Sequence, residues 1–166
     1  GDDFATRFEA DLNAFFLEEG IGWQLSNGQI VTRGSEAFET IIAEAQRDIE
    51  ETGRPTAAKH LKDALECLSR RPEPNLAGAV YHAMGSLECV ARDVADDPKA
   101  TLGQILRRYP ELLPKPFDAS LSQIWGYASE EARHVREGRE IGRQEAELLV
   151  GLAATVSSYL VNKANG

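Results

Sequence analysis

Basic residues gather in one short stretch late in the chain. Five of them, Arg133, His134, Arg136, Arg139 and Arg143, fall within eleven positions of a chain whose formal net charge is −9. Histidine can exchange a proton near neutral pH, and arginine carries a permanent charge that suits phosphate oxygens. We therefore predict that this stretch binds phosphate, with His134 and Arg133 as catalytic candidates and the other three arginines as RNA- or anion-binding residues.

The same stretch has a simpler interpretation, in which the arginines only form ion pairs. Residues next to each other on a helix point about 100° apart, so Arg133 and His134 need not converge within one chain. Across a symmetric dimer, however, an arginine–histidine cluster could meet its own copy at the twofold axis. Both interpretations stay open, because four acids lie among the four arginines of residues 130–143: Glu130, Glu131, Glu137 and Glu140.

Other candidate residues are fewer. Tyr127 could stack on a base and is predicted to bind RNA, whereas Trp125 is interpreted as a core residue. His60 and His82 are interpreted as surface or packed histidines. Arg54 and His60 have a nuclease-like spacing that we attribute to chance, because Pro55 follows the arginine. The chain has no glycine-rich phosphate loop, nucleophile elbow or histidine–cysteine cluster at metal spacing, so we predict no metal and no cofactor.

Composition limits the class of protein. With 166 residues, of which 42% are hydrophobic and 27% charged, the chain is predicted to form one globular unit. The acidic balance argues against a general nucleic-acid coat. Cys67 and Cys89 lack metal spacing and indicate a reduced, cytoplasmic protein. The longest uncharged run near the C-terminus, residues 148–162, is shorter than the roughly 20 residues of a membrane span. The first residue is not Met, which suggests a domain of a longer protein.

Hydrophobic periodicity predicts a mainly α fold, an up-and-down helical bundle with one small N-terminal β-hairpin. The hairpin is centred on Asn27-Gly28, and Ser35, Asn75 and Thr101 are predicted to cap helices. The proline-rich joint at 70–74 divides residues 1–71, the helices with the hairpin, from residues 72–166, the bundle, with both packed as one unit. Predicted helices cover residues 2–19, 36–52, 56–71, 76–95, 102–109, 118–128 and 144–163.

The last predicted helix, residues 144–163, is apolar on more than one face. A helix of this kind is either buried or covered by a partner. Its small residues, such as Gly151 and Ala154, would allow another helix to approach closely. We therefore predict that this helix contributes to a homodimer.

Several segments resemble a known family. They are residues 83–94 (AMGSLECVARDV), 99–103 (KATLG), Ile-Trp-Gly-Tyr-Ala-Ser followed by Arg-His within 124–134, and 145–160 (EAELLVGLAATVSSYL). Together these segments resemble the C-terminal domain of abortive-infection proteins of the Abi-like, J type, a branch of the HEPN superfamily. The resemblance implies an all-α bundle that dimerises and that, in active members, cuts RNA without a metal.

The chain departs from the family at one point. Active members have an arginine separated from the histidine by four to six intervening residues, but the corresponding positions before His134 hold Ser129, Ala128 and Tyr127. The resemblance therefore implies a phage-defence type module that works through dimerisation and through RNA, nucleotide, anion or partner binding, with a degenerate nuclease motif. The alternative is an active, metal-independent RNase that uses His134 and the neighbouring arginines.

Overall fold

The computed structural model describes residues 2–19, 21–133 and 140–166. Over these ranges the fold is mainly helical with one antiparallel hairpin near the N-terminus, as predicted. The elements in chain order are α1 (Asp2–Glu18), β1 (Trp23–Ser26), β2 (Gln29–Thr32), α2 (Glu36–Glu51), α3 (Pro55–Ser69), α4 (Leu76–Ala95), α5 (Leu102–Arg108), α6 (Phe117–Arg133) and α7 (Arg143–Asn165).

Three helices begin at the capping residues that the sequence predicts. The side-chain oxygen of Ser35 accepts a hydrogen bond from the backbone N–H of Phe38 at 3.2 Å, and that of Asn75 accepts one from Gly78 at 2.8 Å. Thr101 caps α5 in the same way and forms a reciprocal capping box. These bonds satisfy N–H groups that have no partner inside the helix, which fixes where α2, α4 and α5 start.

The hairpin turns at Asn27-Gly28, as predicted. Both residues have positive φ angles, 49° and 77°, which a two-residue turn matched to the strand twist requires. The side-chain amide of Asn13 on α1 makes two hydrogen bonds to the backbone of Leu25, each 2.7 Å long. An amide thus takes the place of a neighbouring strand and holds the hairpin against α1.

A single hydrophobic core joins both sides of the proline-rich joint. Leu87 of the central helix α4 is fully buried, as are Leu61 of α3 and Leu160 of α7. They belong to one cluster that includes residues from α2 to α7. Both free cysteines pack with this core, Cys67 buried and Cys89 half-buried.

Two helices differ from the sequence prediction. Helix α6 continues to Arg133 instead of ending near Ala128, because residues 129–133 contain neither proline nor glycine. Helix α1 carries phenylalanines at helical spacing that would be expected to face the core, yet Phe4, Phe8 and Phe15 lie largely exposed along it. No helix among the described residues is long and apolar enough to cross a membrane.

Candidate functional site

Most of the predicted basic site cannot be placed. His134, Arg136 and Arg139 lie outside the described residues, and Arg133 is the last residue of α6. The predicted pairing of His134 with Arg133 therefore stays a prediction.

Two predicted binding residues can be placed. Tyr127 lies on α6 with 40% of its surface exposed. Arg143 is the first residue of α7, and its Nε donates to Oε1 of Glu147 at 3.1 Å. Tyr127 is thus open to a ligand, whereas the charge of Arg143 is partly compensated by its own helix.

A pocket of about 280 Å³ lies beside the C-terminal part of α6. We call it the α4–α6 pocket, and its walls include His60, Tyr81, Glu88, Arg92, Trp125 and Ser129. Ser129 precedes Arg133 by about one helical turn, so the basic stretch begins close to this pocket. Trp125 contacts the core, as predicted, and also lines the pocket.

Glu88 and Arg92 form a clamp on one side of the α4–α6 pocket. Arg92 Nη2 lies 2.7 Å from Glu88 Oε1, and both side chains are half-buried. The second oxygen of Glu88 accepts from the backbone N–H of Leu102 at 2.9 Å, while Arg92 Nε donates to the carbonyl of Ala100 at 2.7 Å. The pair therefore fixes the segment that leads into α5, in addition to forming an ion pair within α4.

A group of titratable residues lies where α3 packs against α4. His60 Nδ1 and His82 Nδ1 are 3.2 Å apart, and a carboxylate oxygen of Asp63 lies within 4.8 Å of a ring nitrogen of each histidine. All three residues are half-buried. Burial lowers the pKa of His60, and the charge of His82 lowers it further. Two imidazoles and a carboxylate are a common ligand set for divalent transition metals.

Sequence reasoning missed this group for a physical reason. His60 and Asp63 have a helical i, i+3 spacing, but His82 lies on a different helix. Only the packing of α3 on α4 brings the second imidazole to the first. The one available signal in the sequence was that His82 lies two residues after Val80, a buried apolar residue of α4.

Helix α7 presents apolar side chains to solvent. Leu148 is 68% exposed and Tyr159 is 42% exposed, and Phe117 at the start of α6 is 62% exposed. Leu152 and Val156 lie between them and line an apolar cavity of about 260 Å³. We call Leu148, Leu152, Val156, Tyr159 and Phe117 the α7 strip.

A larger cavity, of about 400 Å³, separates the hairpin from α2 and α3. Its charged lining is mixed, with Glu39 and Glu50 opposite Lys59 and Lys62. Gln24 of β1 donates to Glu39, so one wall is tied to α2. This hydrogen bond helps to hold the hairpin against the helices.

Comparisons with protein-family models, with curated proteins and with solved structures return no match. What can be said of function therefore depends on the geometry of the described residues and on the resemblance of the sequence segments.

Proposed function

We propose that the chain is a HEPN-like helical module of the abortive-infection type, which acts as a homodimer and binds RNA through the basic stretch around His134. The observation that carries the proposal is the α7 strip, because an apolar surface of this kind on a folded domain is typical of an interface. The described fold, mainly helical with α4, α6 and α7 in the resembling segments, is compatible with the bundle that the family implies.

The α7 strip supports a dimer by its shape and composition. Leu148, Leu152, Val156 and Tyr159 recur at three- and four-residue steps on one side of α7, and Leu148 and Tyr159 keep 68% and 42% of their surface exposed. Antiparallel packing of this side against its own copy would bury the strip twice, as a twofold interface requires. The apolar cavity beside Val156 would accept a side chain from the second copy.

RNA binding is supported by the position of the basic stretch. Helix α6 leads to Arg133 past the exposed ring of Tyr127, and α7 resumes at Arg143. A dimer would double the number of arginines available to one RNA strand. An aromatic ring beside cationic side chains is a common arrangement for single-stranded RNA.

Sedimentation equilibrium tests the dimer. We expect a dimer at micromolar concentration for the unmodified chain and a monomer for Leu148→Glu combined with Tyr159→Glu, because two buried charges oppose the interface. Ile30→Glu is the matched control, since Ile30 is also an exposed apolar residue but lies on β2. A monomeric unmodified chain, or a double variant that stays dimeric, would contradict the proposal.

Fluorescence anisotropy with a labelled single-stranded RNA tests binding. We expect Arg136→Ala combined with Arg139→Ala to weaken binding by about tenfold or more, because charge-assisted contacts to phosphate are lost. Arg107→Ala combined with Arg108→Ala removes the same charge from exposed positions on α5 and should have little effect. If both double variants lost the same amount of RNA affinity, the binding would be explained by nonspecific charge attraction.

The same labelled RNA decides between binding and cleavage. Incubation in EDTA should leave it intact if the nuclease motif is degenerate. Metal-independent cleavage that leaves a cyclic phosphate and disappears in His134→Ala would instead establish the RNase alternative.

A further inference from the structure

The imidazole rings of His60 and His82 meet where helix α3 packs against helix α4. His60 comes from the second turn of α3, and His82 comes from the second turn of α4. Their Nδ1 atoms are 3.2 Å apart, and their ring centres are 5.5 Å apart at a tilt of 39°. The rings are therefore not stacked face to face, and the same nitrogen of each ring points toward the other.

That distance matches two ligands of one metal ion. Zinc lies about 2.0–2.1 Å from an imidazole nitrogen, so two nitrogens at a tetrahedral angle are about 3.3 Å apart. A hydrogen bond between the rings would need one protonated Nδ1, whereas a metal satisfies both nitrogens as acceptors. We propose that His60, His82 and Asp63 form a binding site for a divalent transition metal, with Zn²⁺ as the expected ion.

Asp63 supplies the third ligand. It follows His60 by three residues on α3, so both side chains leave the same side of the helix. One carboxylate oxygen lies within 4.8 Å of a ring nitrogen of each histidine, and coordination would need a rotation of the Asp63 side chain toward the ion. Oδ2 of Asp63 accepts from Lys59 Nζ at 2.8 Å, but Lys59 is largely exposed and carboxylates have lone pairs for both partners.

The site joins the two helices and adjoins the α4–α6 pocket. Three protein ligands leave one coordination position for water. Because His60 also lines that pocket, one edge of the site lies next to a cavity of about 280 Å³. A metal bound here would cross-link α3 to α4, and it would stabilise the folded chain in proportion to its occupancy.

Titration calorimetry of the full chain, stripped with EDTA and then dialysed, tests the proposal with ZnCl₂ as the probe. We expect one equivalent of zinc to bind. His82→Gln should weaken binding by more than the roughly 10–100-fold that loss of an outer-shell partner costs. Glu51→Gln is the control, because it removes an exposed carboxylate of α2 that does not belong to the group and should leave zinc affinity unchanged. Absence of saturable binding, or equal binding in His82→Gln, would overturn the proposal.

A second measurement does not depend on variants that may misfold. Co²⁺ in place of Zn²⁺ should give the visible absorption of a four-coordinate ion with nitrogen and oxygen ligands. Zinc at about 100 times its Kd should raise the melting temperature of the unmodified chain by roughly 5–10 °C. A spectrum of hydrated Co²⁺ together with an unchanged melting temperature would contradict the site.

Gly85 offers a positioning variant within α4. A Cβ atom at Gly85 would lie 3.3 Å from Nδ1 of His60, so alanine there must push the imidazole away by a few tenths of an ångström. We expect Gly85→Ala to weaken zinc binding without lowering the melting temperature in EDTA, since alanine favours a helix. Gly126→Ala on α6 is the control, because its Cβ would have no neighbour within 4 Å. Neither RNA nor the dimer enters these measurements, so their outcome is independent of the proposed function.

Discussion

At the scale of single residues, the Glu88–Arg92 clamp is the best-defined polar contact in the α4–α6 pocket. Each side chain makes a contact outside its own helix, Glu88 to the N–H of Leu102 and Arg92 to the carbonyl of Ala100. Both charged side chains are therefore engaged in contacts within the fold. The role of the clamp is to shape the pocket and to hold the start of α5.

Glu88→Ala should destabilise the fold by about 1–3 kcal/mol, because it leaves Arg92 and the N–H of Leu102 without a charged partner. Urea denaturation followed by circular dichroism measures the change. Glu66→Ala is the control, since Glu66 is exposed on α3 and bonds only to Gln29 among the described contacts. A loss as small as that of the control would mean that solvent replaces the clamp.

Residue types alone predict part of this chemistry. The sequence shows that Glu88 and Arg92 are one turn apart, but it cannot show that the segment 96–101 folds back onto them. The proximity of His60 to His82 likewise depends on how α3 and α4 pack. The basic stretch presents the opposite case, because its residues are conspicuous in the sequence while His134, Arg136 and Arg139 lie outside the described residues.

At the scale of elements, α2 and α7 are joined by a polar contact at the edge of the core. Ser158 and Asn162 of α7 both donate to Oδ2 of Asp48 on α2. The side chain of Asp48 is only 11% exposed. The bond from Ser158 is the main cause that lowers the pKa of Asp48, helped by Asn162, although burial acts in the opposite direction.

The lowered pKa of Asp48 determines how the stability of the fold should change with pH. The unfolded chain binds a proton at Asp48 more readily than the folded chain does, so the stabilisation is fully present above the ordinary value of 3.8 and is lost as the pH falls through the lower folded value. Asp48→Asn should therefore lower the free energy of unfolding by about 1–3 kcal/mol at pH 7. The difference from the unmodified chain should begin to shrink below about pH 4, where the carboxylate of the unfolded chain starts to bind a proton while that of the folded chain stays ionised.

Urea denaturation at pH 7 and at pH 3 measures this effect. Glu51→Gln, an exposed acid at the end of the same helix, should leave the free energy of unfolding nearly unchanged at both pH values. A loss in Asp48→Asn that is equal at pH 7 and pH 3 would show that the charge of Asp48 does not contribute.

Elements with strong local signals are predicted well. The Asn27-Gly28 turn and the caps at Ser35, Asn75 and Thr101 depend on neighbouring residues only, and the structure confirms them. The predicted end of α6 near Ala128 was wrong, because residues 129–133 contain neither proline nor glycine and so do not stop the helix. The exposed phenylalanines of α1 were missed because periodicity shows that one side is apolar but does not show what covers it.

At the scale of the whole molecule, two apolar surfaces lie exposed outside the core over the described residues. The α7 strip is one, and the side of α1 that carries Phe4 and Phe8 is the other. Phe4 and Phe8 stack on each other with ring centres 6.4 Å apart, but α1 packs mainly against β1. The exposed residues of these two surfaces are not part of the buried core, so both surfaces are available for contacts between molecules.

The continuous core also predicts how the chain unfolds. If residues 1–71 and 72–166 share one core, they should unfold in a single transition, since α2 and α3 cannot expose their buried faces without disrupting α4 and α7. The two tryptophans report on the two parts, because Trp23 lies in the hairpin and Trp125 in α6. Fluorescence of Trp125→Phe and Trp23→Phe during urea denaturation should therefore follow far-ultraviolet circular dichroism of the same variant, with coincident midpoints in each case. An earlier fluorescence transition for Trp23 alone would show that the hairpin detaches before the helices unfold, and the core would then be cooperative only from α2 onward.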